Sequence, residues 1–350
     1  MKRSRRIWSG RPERNRRSAR VARLLVYLTA DEQREFFSGG RMAEIGAAVD
    51  VVTVRRPRKG ATDLGRLLER TQPTVFLAAW SSPSLPAKLP ASLRYVCYVC
   101  GSVRTLVSRD HLANGLVVTN WGASISRTVA EAALMHVLAC LRRATEWTMR
   151  MHARRGWNHD AVASASLFER RVGLHGFGRV ARQLVALLRP FQVKVMVFAP
   201  DADERAARRW RFRRAGSLGE LFAENDVVIE LAPLNRETTG VVTERHLRSL
   251  PRGGVFVNVG RGEIVDERAL VRVAREGRIQ FGLDVFATEP LAANHPLRGL
   301  LNVSLTPHVA GPTQDRRVDA GDFAIANLRR FAAGQRLRAR ITPDIYDMST

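Results

Sequence analysis

The sequence predicts an α/β fold built as two doubly wound domains with a cleft between them. Three observations predict it. Short, continuously apolar strand segments alternate with helical segments along most of the chain, the pattern of parallel sheets covered on both faces. The pattern changes near Thr128, where a long apolar-rich helix opens a second series. That second series carries a glycine turn, Val172–Ala181, set between a short strand and a helix. At 350 residues the chain is long enough for both domains.

The first series runs as follows. Ala22–Thr29 reads as a strand and Asp31–Phe37 as a helix. Val49–Val54 is a second strand, and Thr62–Arg70 a helix that Thr62 and Asp63 suit as a start. Pro73–Trp80, Leu93–Val99 and Leu116–Thr119 are the third, fourth and fifth strands, with a Pro/Ser-rich loop over Ser81–Pro90.

In the second series Val129–Arg143 is predicted as a helix that runs on toward Arg150. Its stripe of Val129, Ala132, Ala133, His136, Val137 and Cys140 predicts a face covered by a second copy, hence a homodimer, the alternative being packing within its own domain alone. Strands recur at Arg171–Leu174, Val193–Phe198, Asp226–Leu231, Gly254–Val259 and Ile279–Asp284, with a short one at Leu301–Leu305. The last helix, Gln314–Ala333, runs back toward the first series. The expected division is a basic tail over 1–20, a discontinuous first domain over 21–121 and 308–350, and a second domain over 122–307. The chain crosses near Asn120 and near Pro307, and a ligand would sit in the cleft. There is no internal sequence repeat.

Composition narrows the function classes. With 45% hydrophobic and 26% charged residues, the chain reads as a soluble globular protein. No apolar run reaches the roughly 18 residues a membrane span needs, and no apolar secretory core follows the basic N-terminus closely. The cysteines are Cys97, Cys100 and Cys140, which offer no disulfide framework and point to a reducing cytoplasm. Cys97 and Cys100 form a C-x-x-C, but inside a strand and without a second pair or nearby histidine. They read as packing, and no metal site is predicted.

The net charge is +24 and the pI about 11.5. An acidic partner, nucleic acid above all, is one reading. Coding bias is the preferred one. Lysine occurs only at positions 2, 59, 88 and 194, and arginine supplies every other positive charge. The arginines are scattered and few aromatics are interleaved with them. Residues 1–23 hold ten basic residues and one acid, Glu13. The first twenty read as disordered or as the product of an early start codon, with an Arg-rich transit peptide as the alternative.

The turn Val172-Gly-Leu-His-Gly-Phe-Gly-Arg-Val-Ala181 has the spacing G-x-G-x-x-A of a dinucleotide-binding site. Gly176 permits the tight turn, and Gly178 lets a pyrophosphate approach the backbone across Phe177, Arg179 and Val180. Ala181 supplies the small residue needed for helix–strand packing. The helix start offers free N–H groups and a partial positive charge. The next strand, Val193–Phe198, ends where an acid would hold the ribose.

Three later stretches carry candidate chemistry. Arg261 is flanked by glycines in Val257–Glu267, at a strand end where it points into the cleft. Glu289 precedes a proline in Gly282–Pro290, and His308 lies in Leu305–Thr313. Singly these read as a surface pair, a turn residue and a packed core histidine. Their common placement after strands of one domain favours a shared site.

With these landmarks the sequence resembles the D-2-hydroxyacid dehydrogenase family, from about Ala22 to about Thr342. Further landmarks are Leu116–Asn120, Val129–Glu131, Leu231–Leu234 and Glu237–Thr238. The resemblance implies a flavodoxin-like substrate domain and an NAD-binding Rossmann domain. It implies that Arg261, Glu289 and His308 are catalytic, with Arg261 and His308 also touching substrate and cofactor. It assigns Asp284 to the nicotinamide carboxamide, and Gly101, Ser102 and Val103 to the substrate carboxylate. Ser126, Ala232, Pro233, Val259 and Gly311 then line the cofactor, and the long helix is the dimer contact.

The chemistry fits those roles. Reducing a 2-keto acid needs a hydride at carbon and a proton at oxygen. Imidazole titrates near neutral pH, and a carboxylate beside it favours imidazolium. A guanidinium grips a carboxylate through two N–H bonds. Two positions depart from the family pattern. Ala199 stands at the usual ribose-binding Asp, followed by Pro200 and Asp201. Either Asp201 reaches the ribose from a shifted turn, which keeps NAD as cofactor, or the site accepts NADP, with Arg205 the nearest cation. The substrate loop Cys100–Val107 carries Arg104 and one extra residue. The alternatives to a dehydrogenase are an NAD(H)-sensing binding protein of the corepressor type and phosphite oxidation.

Overall fold

The computed structural model describes residues 22–46, 50–53, 63–153, 157 and 162–348. The basic segment 1–20 and Thr62 lie outside the described residues. The first unit holds β1 (Arg23–Tyr27), α1 (Ala30–Phe37), α2 (Arg41–Gly46), β2 (Asp50–Thr53) and α3 (Leu64–Thr71). It continues with β3 (Val75–Ala78), β4 (Tyr95–Tyr98), α4 (Arg109–Ala113) and β5 (Val117–Thr119). Two helices follow, α5 (Ser126–Leu141) and α6 (Ala144–Thr148).

The second unit then runs β6 (Arg171–His175), α7 (Arg179–Leu188), β7 (Lys194–Phe198), α8 (Glu204–Trp210), β8 (Arg213–Arg214), α9 (Leu218–Ala223) and β9 (Val227–Glu230). It ends with α10 (Glu244–Ser249), β10 (Val255–Asn258), α11 (Glu267–Arg275), β11 (Gln280–Leu283) and β12 (Val303–Leu305). The chain returns through α12 (Arg317–Ala332), β13 (Arg340–Ile341) and α13 (Pro343–Met348).

The first sheet has the order β13-β5-β4-β3-β1-β2, parallel except where β13 runs antiparallel to β5. Without β13 this is the flavodoxin-like order. The second sheet has the order β12-β11-β10-β9-β6-β7-β8 and is parallel throughout, the Rossmann order with one strand added. Strands β3, β4, β9 and β10 are buried at every residue, which is why they read as apolar runs, with a buried polar residue only at the ends of β9 (Glu230) and β10 (Asn258). Alternate residues of the second sheet supply two cores. Leu174, Val197, Ile229 and Val257 pack with residues of α5 and α7. Met196, Val228, Phe256 and Phe281 pack with residues of α9, α10 and α11.

Helix ends follow local chemistry. Thr29 and Glu32 form a reciprocal capping box at α1, and Asp63 and Asp266 accept backbone N–H groups at the starts of α3 and α11. The return to the first unit is made by α12, whose Gly321 abuts Phe36 so closely that a Cβ would lie 1.8 Å from the Phe36 carbonyl oxygen. Arg41 pairs with Asp322 at 2.5 Å and Arg329 with Glu44 at 2.7 Å across the same contact.

Several expectations are corrected. The long helix reaches Arg150 only across a break: α5 stops at Leu141, Arg143 adopts a left-handed conformation with φ 56°, and α6 followed by a π-helical turn over Met149–Ala153 carries the chain on. The break lets Arg143 reach Glu146 at 2.5 Å, with Arg150 completing the cluster at 2.7 Å. The apolar stripe is not a free face. Ala133, His136, Val137 and Cys140 are buried, and α5 packs against α7, β10 and β11 of its own unit. Strands are shorter than predicted at most ends; in β3 the ladder covers Val75–Ala78, leaving Pro73 and Trp80 outside it. The last helix begins with a 3₁₀ turn over Gln314–Arg316.

Candidate active site

The dinucleotide turn sits at the switch point of the second sheet, where β7 and β9 flank β6. Gly176 has φ +93°, and a Cβ there would lie 2.8 Å from the Ala232 backbone. Only glycine fits, because the turn leans on the loop after β9. Gly178 caps α7 without a side-chain hydrogen bond, and space beside its Cα is open. The first N–H groups of this ten-residue helix are therefore left for an anion. This uncapped start fits a pyrophosphate. Ala181 is fully buried, as the helix–strand contact requires. Phe177 turns its ring into the core against Phe212, at 4.6 Å between centroids, so only its backbone faces the turn. Arg179 is exposed and Val180 half-buried.

Beyond β7, Asp203 is committed to capping α8 through the Ala206 N–H at 2.7 Å. Asp201 is exposed at the strand's end, and Ala199 is half-buried. Ala232, Val259 and Ser126 are buried, Pro233 is exposed and Gly311 half-buried.

The Arg, Glu and His converge through backbone contacts. Asn258, buried at the end of β10, donates from Nδ2 to the Arg261 carbonyl at 2.9 Å and accepts the Gly260 N–H at 3.0 Å. That shapes the turn presenting Arg261. Gly262 then presses on the next strand's exit: a Cβ would lie 1.9 Å from the Phe286 carbonyl carbon. The Phe286 N–H donates to Glu289 Oε1 at 3.0 Å. Glu289 Oε2 in turn contacts His308 Nδ1 at 2.6 Å. With Nδ1–H donated to the carboxylate, Nε2 is the ring nitrogen left for a ligand. The His308 side chain is 48% exposed.

Arg261 is half-buried, and its Nη1 donates to the Gly260 carbonyl at 2.7 Å. Burial pulls its pKa down, opposed by Glu263 and Glu289, and a guanidinium stays charged. Glu289 thus links the two groups: it contacts His308 Nδ1 and acts electrostatically on Arg261.

Asp284 is buried beneath the His308 loop. Its carboxylate accepts from Thr306 Oγ1 at 2.6 Å, Val309 N–H at 2.9 Å and Ala310 N–H at 2.8 Å. Sequence reasoning gave it a ligand, not this tie. It also missed Thr306, Asn258 and His136. Asn258 could have been found, since a buried polar residue ending an apolar strand needs a reason.

In the first unit Gly101 packs under Trp121, where a Cβ would lie 2.8 Å from the indole, and its carbonyl accepts from Asn120 Nδ2 at 2.9 Å. Ser102 is half-buried, and Val103 is buried in the first core. The unusual Arg104 points away to α13, donating to the Tyr346 carbonyl at 3.0 Å and lying 5.2 Å over the Tyr346 ring. Cys97 and Cys100 are free and buried, and burial pushes the Cys97 thiol up to about 11. Among the described residues no cluster of three or more His, Cys, Asp or Glu is placed to hold a metal ion.

Two mainly parallel sheets, a dinucleotide turn at a switch point and a carboxylate–imidazole pair describe an NAD(P)-dependent oxidoreductase. Residues 134–310 match the D-isomer specific 2-hydroxyacid dehydrogenase NAD binding domain, and the chain belongs to that family. It is 32% identical over 228 residues to a glyoxylate reductase of Aeropyrum pernix, covering 63% of this chain and 68% of the relative. It is 33% identical over 226 residues to a hydroxyphenylpyruvate reductase of Plectranthus scutellarioides, covering 64% and 70%. The NAD-complexed D-isomer specific 2-hydroxyacid dehydrogenase of Lactobacillus delbrueckii shares the fold, with a TM-score of 0.75 at 19% identity over 91% of this chain and all of that one. The fold likeness thus extends over the first unit, where the family's sequence match stops.

Proposed function

We propose that the protein reduces a small 2-keto acid to a D-2-hydroxy acid, with His308 as the acid–base group and NAD(H) as the preferred cofactor. The observation that carries this reading is the 2.6 Å contact between Glu289 Oε2 and His308 Nδ1, beside the half-buried Arg261. A glyoxylate reductase and a hydroxyphenylpyruvate reductase among the relatives support the substrate class.

Arg261 binds the substrate carboxylate and draws charge from the keto oxygen. Backbone N–H groups of Gly101–Val103 hold the carboxylate's other side. His308 gives its Nε2 proton to the keto oxygen as that oxygen gains charge and becomes neutral, and Glu289 holds the ring through Nδ1–H before and after. In the oxidation direction the same nitrogen takes the hydroxyl proton back. The nicotinamide, when bound, supplies the hydride. The α7 N-terminus and the Gly176–Val180 backbone hold the pyrophosphate, with Ser126, Ala232, Pro233, Val259 and Gly311 around the rest. Asp201 takes the ribose hydroxyls, because Asp203 is spent on its helix cap.

The domain reading follows the sheets: 21–121 with 308–350 binds substrate, and 122–307 binds cofactor. The protein is a cytoplasmic homodimer. Three unpaired thiols favour a reducing compartment, and among the described residues no helix is long and apolar enough to cross a membrane. The dimer contact is placed on the exposed side of α5, where Met135 is 48% exposed.

The test is a panel of glyoxylate, hydroxypyruvate, pyruvate and phenylpyruvate with NADH and NADPH. Turnover with at least one, faster with NADH, is the expected result. Tight NADH binding without turnover would mean a sensor instead.

A further inference from the structure

His136 lies on α5 with no exposed surface, counted by its sequence spacing among apolar packing residues. Its environment is not that of a packing residue. Its Nε2 is 2.9 Å from Thr306 Oγ1, and Thr306 Oγ1 is 2.6 Å from Asp284 Oδ1. The directions of these bonds are fixed by the groups. A carboxylate only accepts, so the Thr306 hydroxyl donates to Asp284. A hydroxyl whose hydrogen is used can only accept, so His136 Nε2 carries the hydrogen. Nδ1 is left bare, buried without a hydrogen-bond partner and packed where a Cβ on Gly282 would lie 3.1 Å away. Burial lowers the ring's pKa against the pull of Asp284, which keeps it neutral. A buried ring nitrogen without a partner is a cost that a leucine here would avoid.

What the relay supports is the His308 loop. His308 has φ +53°, a left-handed conformation that a non-glycine residue holds only when its surroundings impose it. Asp284 imposes it. Its carbonyl accepts the His308 N–H at 2.8 Å, and its carboxylate accepts the N–H groups of Val309 and Ala310. The third contact on that carboxylate is Thr306, and His136 fixes the Thr306 hydroxyl.

We propose that His136 is a positioning residue: by donating to Thr306 it aims the hydroxyl at Asp284, and Asp284 then holds His308 in its working conformation. The inference rests on the reading of His308 as the acid–base group.

The experiment compares His136→Leu, His136→Gln, Thr306→Val and the double variant His136→Leu/Thr306→Val. His136→Leu keeps an apolar side chain and removes the donor. Its kcat for keto-acid reduction falls about 5- to 50-fold, as displacement of a reacting group does, while the substrate KM stays within about threefold. His136→Gln restores an N–H donor and recovers most of kcat. The double variant is no slower than Thr306→Val alone, because both changes break one chain of contacts. In protein without cofactor, hydrogen exchange of a peptide spanning 306–313 quickens in His136→Leu and not in His136→Gln. If His136→Leu does not fold, Thr306→Val alone carries the same two readouts. Wild-type kcat with unchanged exchange in the donor-lacking variants overturns the inference, as do multiplying losses in the double variant. Full activity of His308→Ala overturns the acid–base reading alone, since the exchange comparison does not depend on it.

Discussion

Glu289 is held between two groups: its Oε1 accepts the Phe286 N–H at 3.0 Å, and its Oε2 meets His308 Nδ1 at 2.6 Å. The carboxylate is thus oriented by backbone before it orients the imidazole. Replacing Glu289 by Gln keeps the size but puts an amide, with a single acceptor oxygen, where two carboxylate oxygens accept from the Phe286 N–H and from His308 Nδ1. With the imidazole less firmly oriented, kcat for keto-acid reduction falls about 10- to 100-fold while NADH affinity is unchanged. An unchanged kcat under chemistry-limited conditions would remove Glu289 from the mechanism.

Arg261 is half-buried and its carbonyl is pinned by Asn258, so the guanidinium is presented in a fixed direction. Arg261→Lys keeps a charge but loses the planar two-point grip. The expected cost in kcat/KM is on the order of 10²-fold, with KM raised as well. Steady-state kinetics with the best keto acid decides it. An unchanged KM would mean that the carboxylate is held elsewhere.

Gly262 has no room for a side chain against Phe286. Gly262→Ala must push the Arg261 turn away from the strand exit that carries Glu289. Overpacking of this kind costs about 1–3 kcal/mol. Denaturant melts should show that loss, with activity falling further than stability alone explains. A variant with wild-type stability would contradict the contact.

Glu146 gives a pH signature outside the site. Burial pushes its carboxyl up, but hydrogen bonds from Arg150 and Arg143 outweigh that and hold it below the ordinary carboxylate value. A lowered folded-state pKa contributes stability above the unfolded value, and that contribution is lost as pH falls through the folded one. Wild type should therefore melt higher than Glu146→Gln at pH 7, and the gap should close as the pH falls below about 4. A gap independent of pH would mean that the cluster contributes by packing only.

Much of this was legible in the sequence, for physical reasons. Strands such as Val75–Ala78 are buried on both faces, so their burial is written as unbroken apolar runs. Gly176 was legible because the turn admits no side chain, and Arg261 because glycines flank it at a strand end. Other features were hidden. The two-residue β13 is too short to show a period, and it pairs with β5 from the far end of the chain. The stripe on α5 has helical spacing whether its cover is a second copy or the helix's own sheet, so spacing could not choose between them. His136 was lost inside that stripe because its partner, Thr306, lies 170 residues away. Arg104 looked like a change in the substrate loop, and its attachment to Tyr346 shows in no local pattern.

The most direct test is keto-acid-dependent oxidation of NADH by wild type and by His308→Ala, with NADH affinity measured in both. The proposed reaction predicts turnover by the wild type, equal NADH affinity, and a rate lower by roughly 10²–10⁴ in the variant. Equal rates in the two proteins, or no turnover by a wild type that binds NADH, would contradict it.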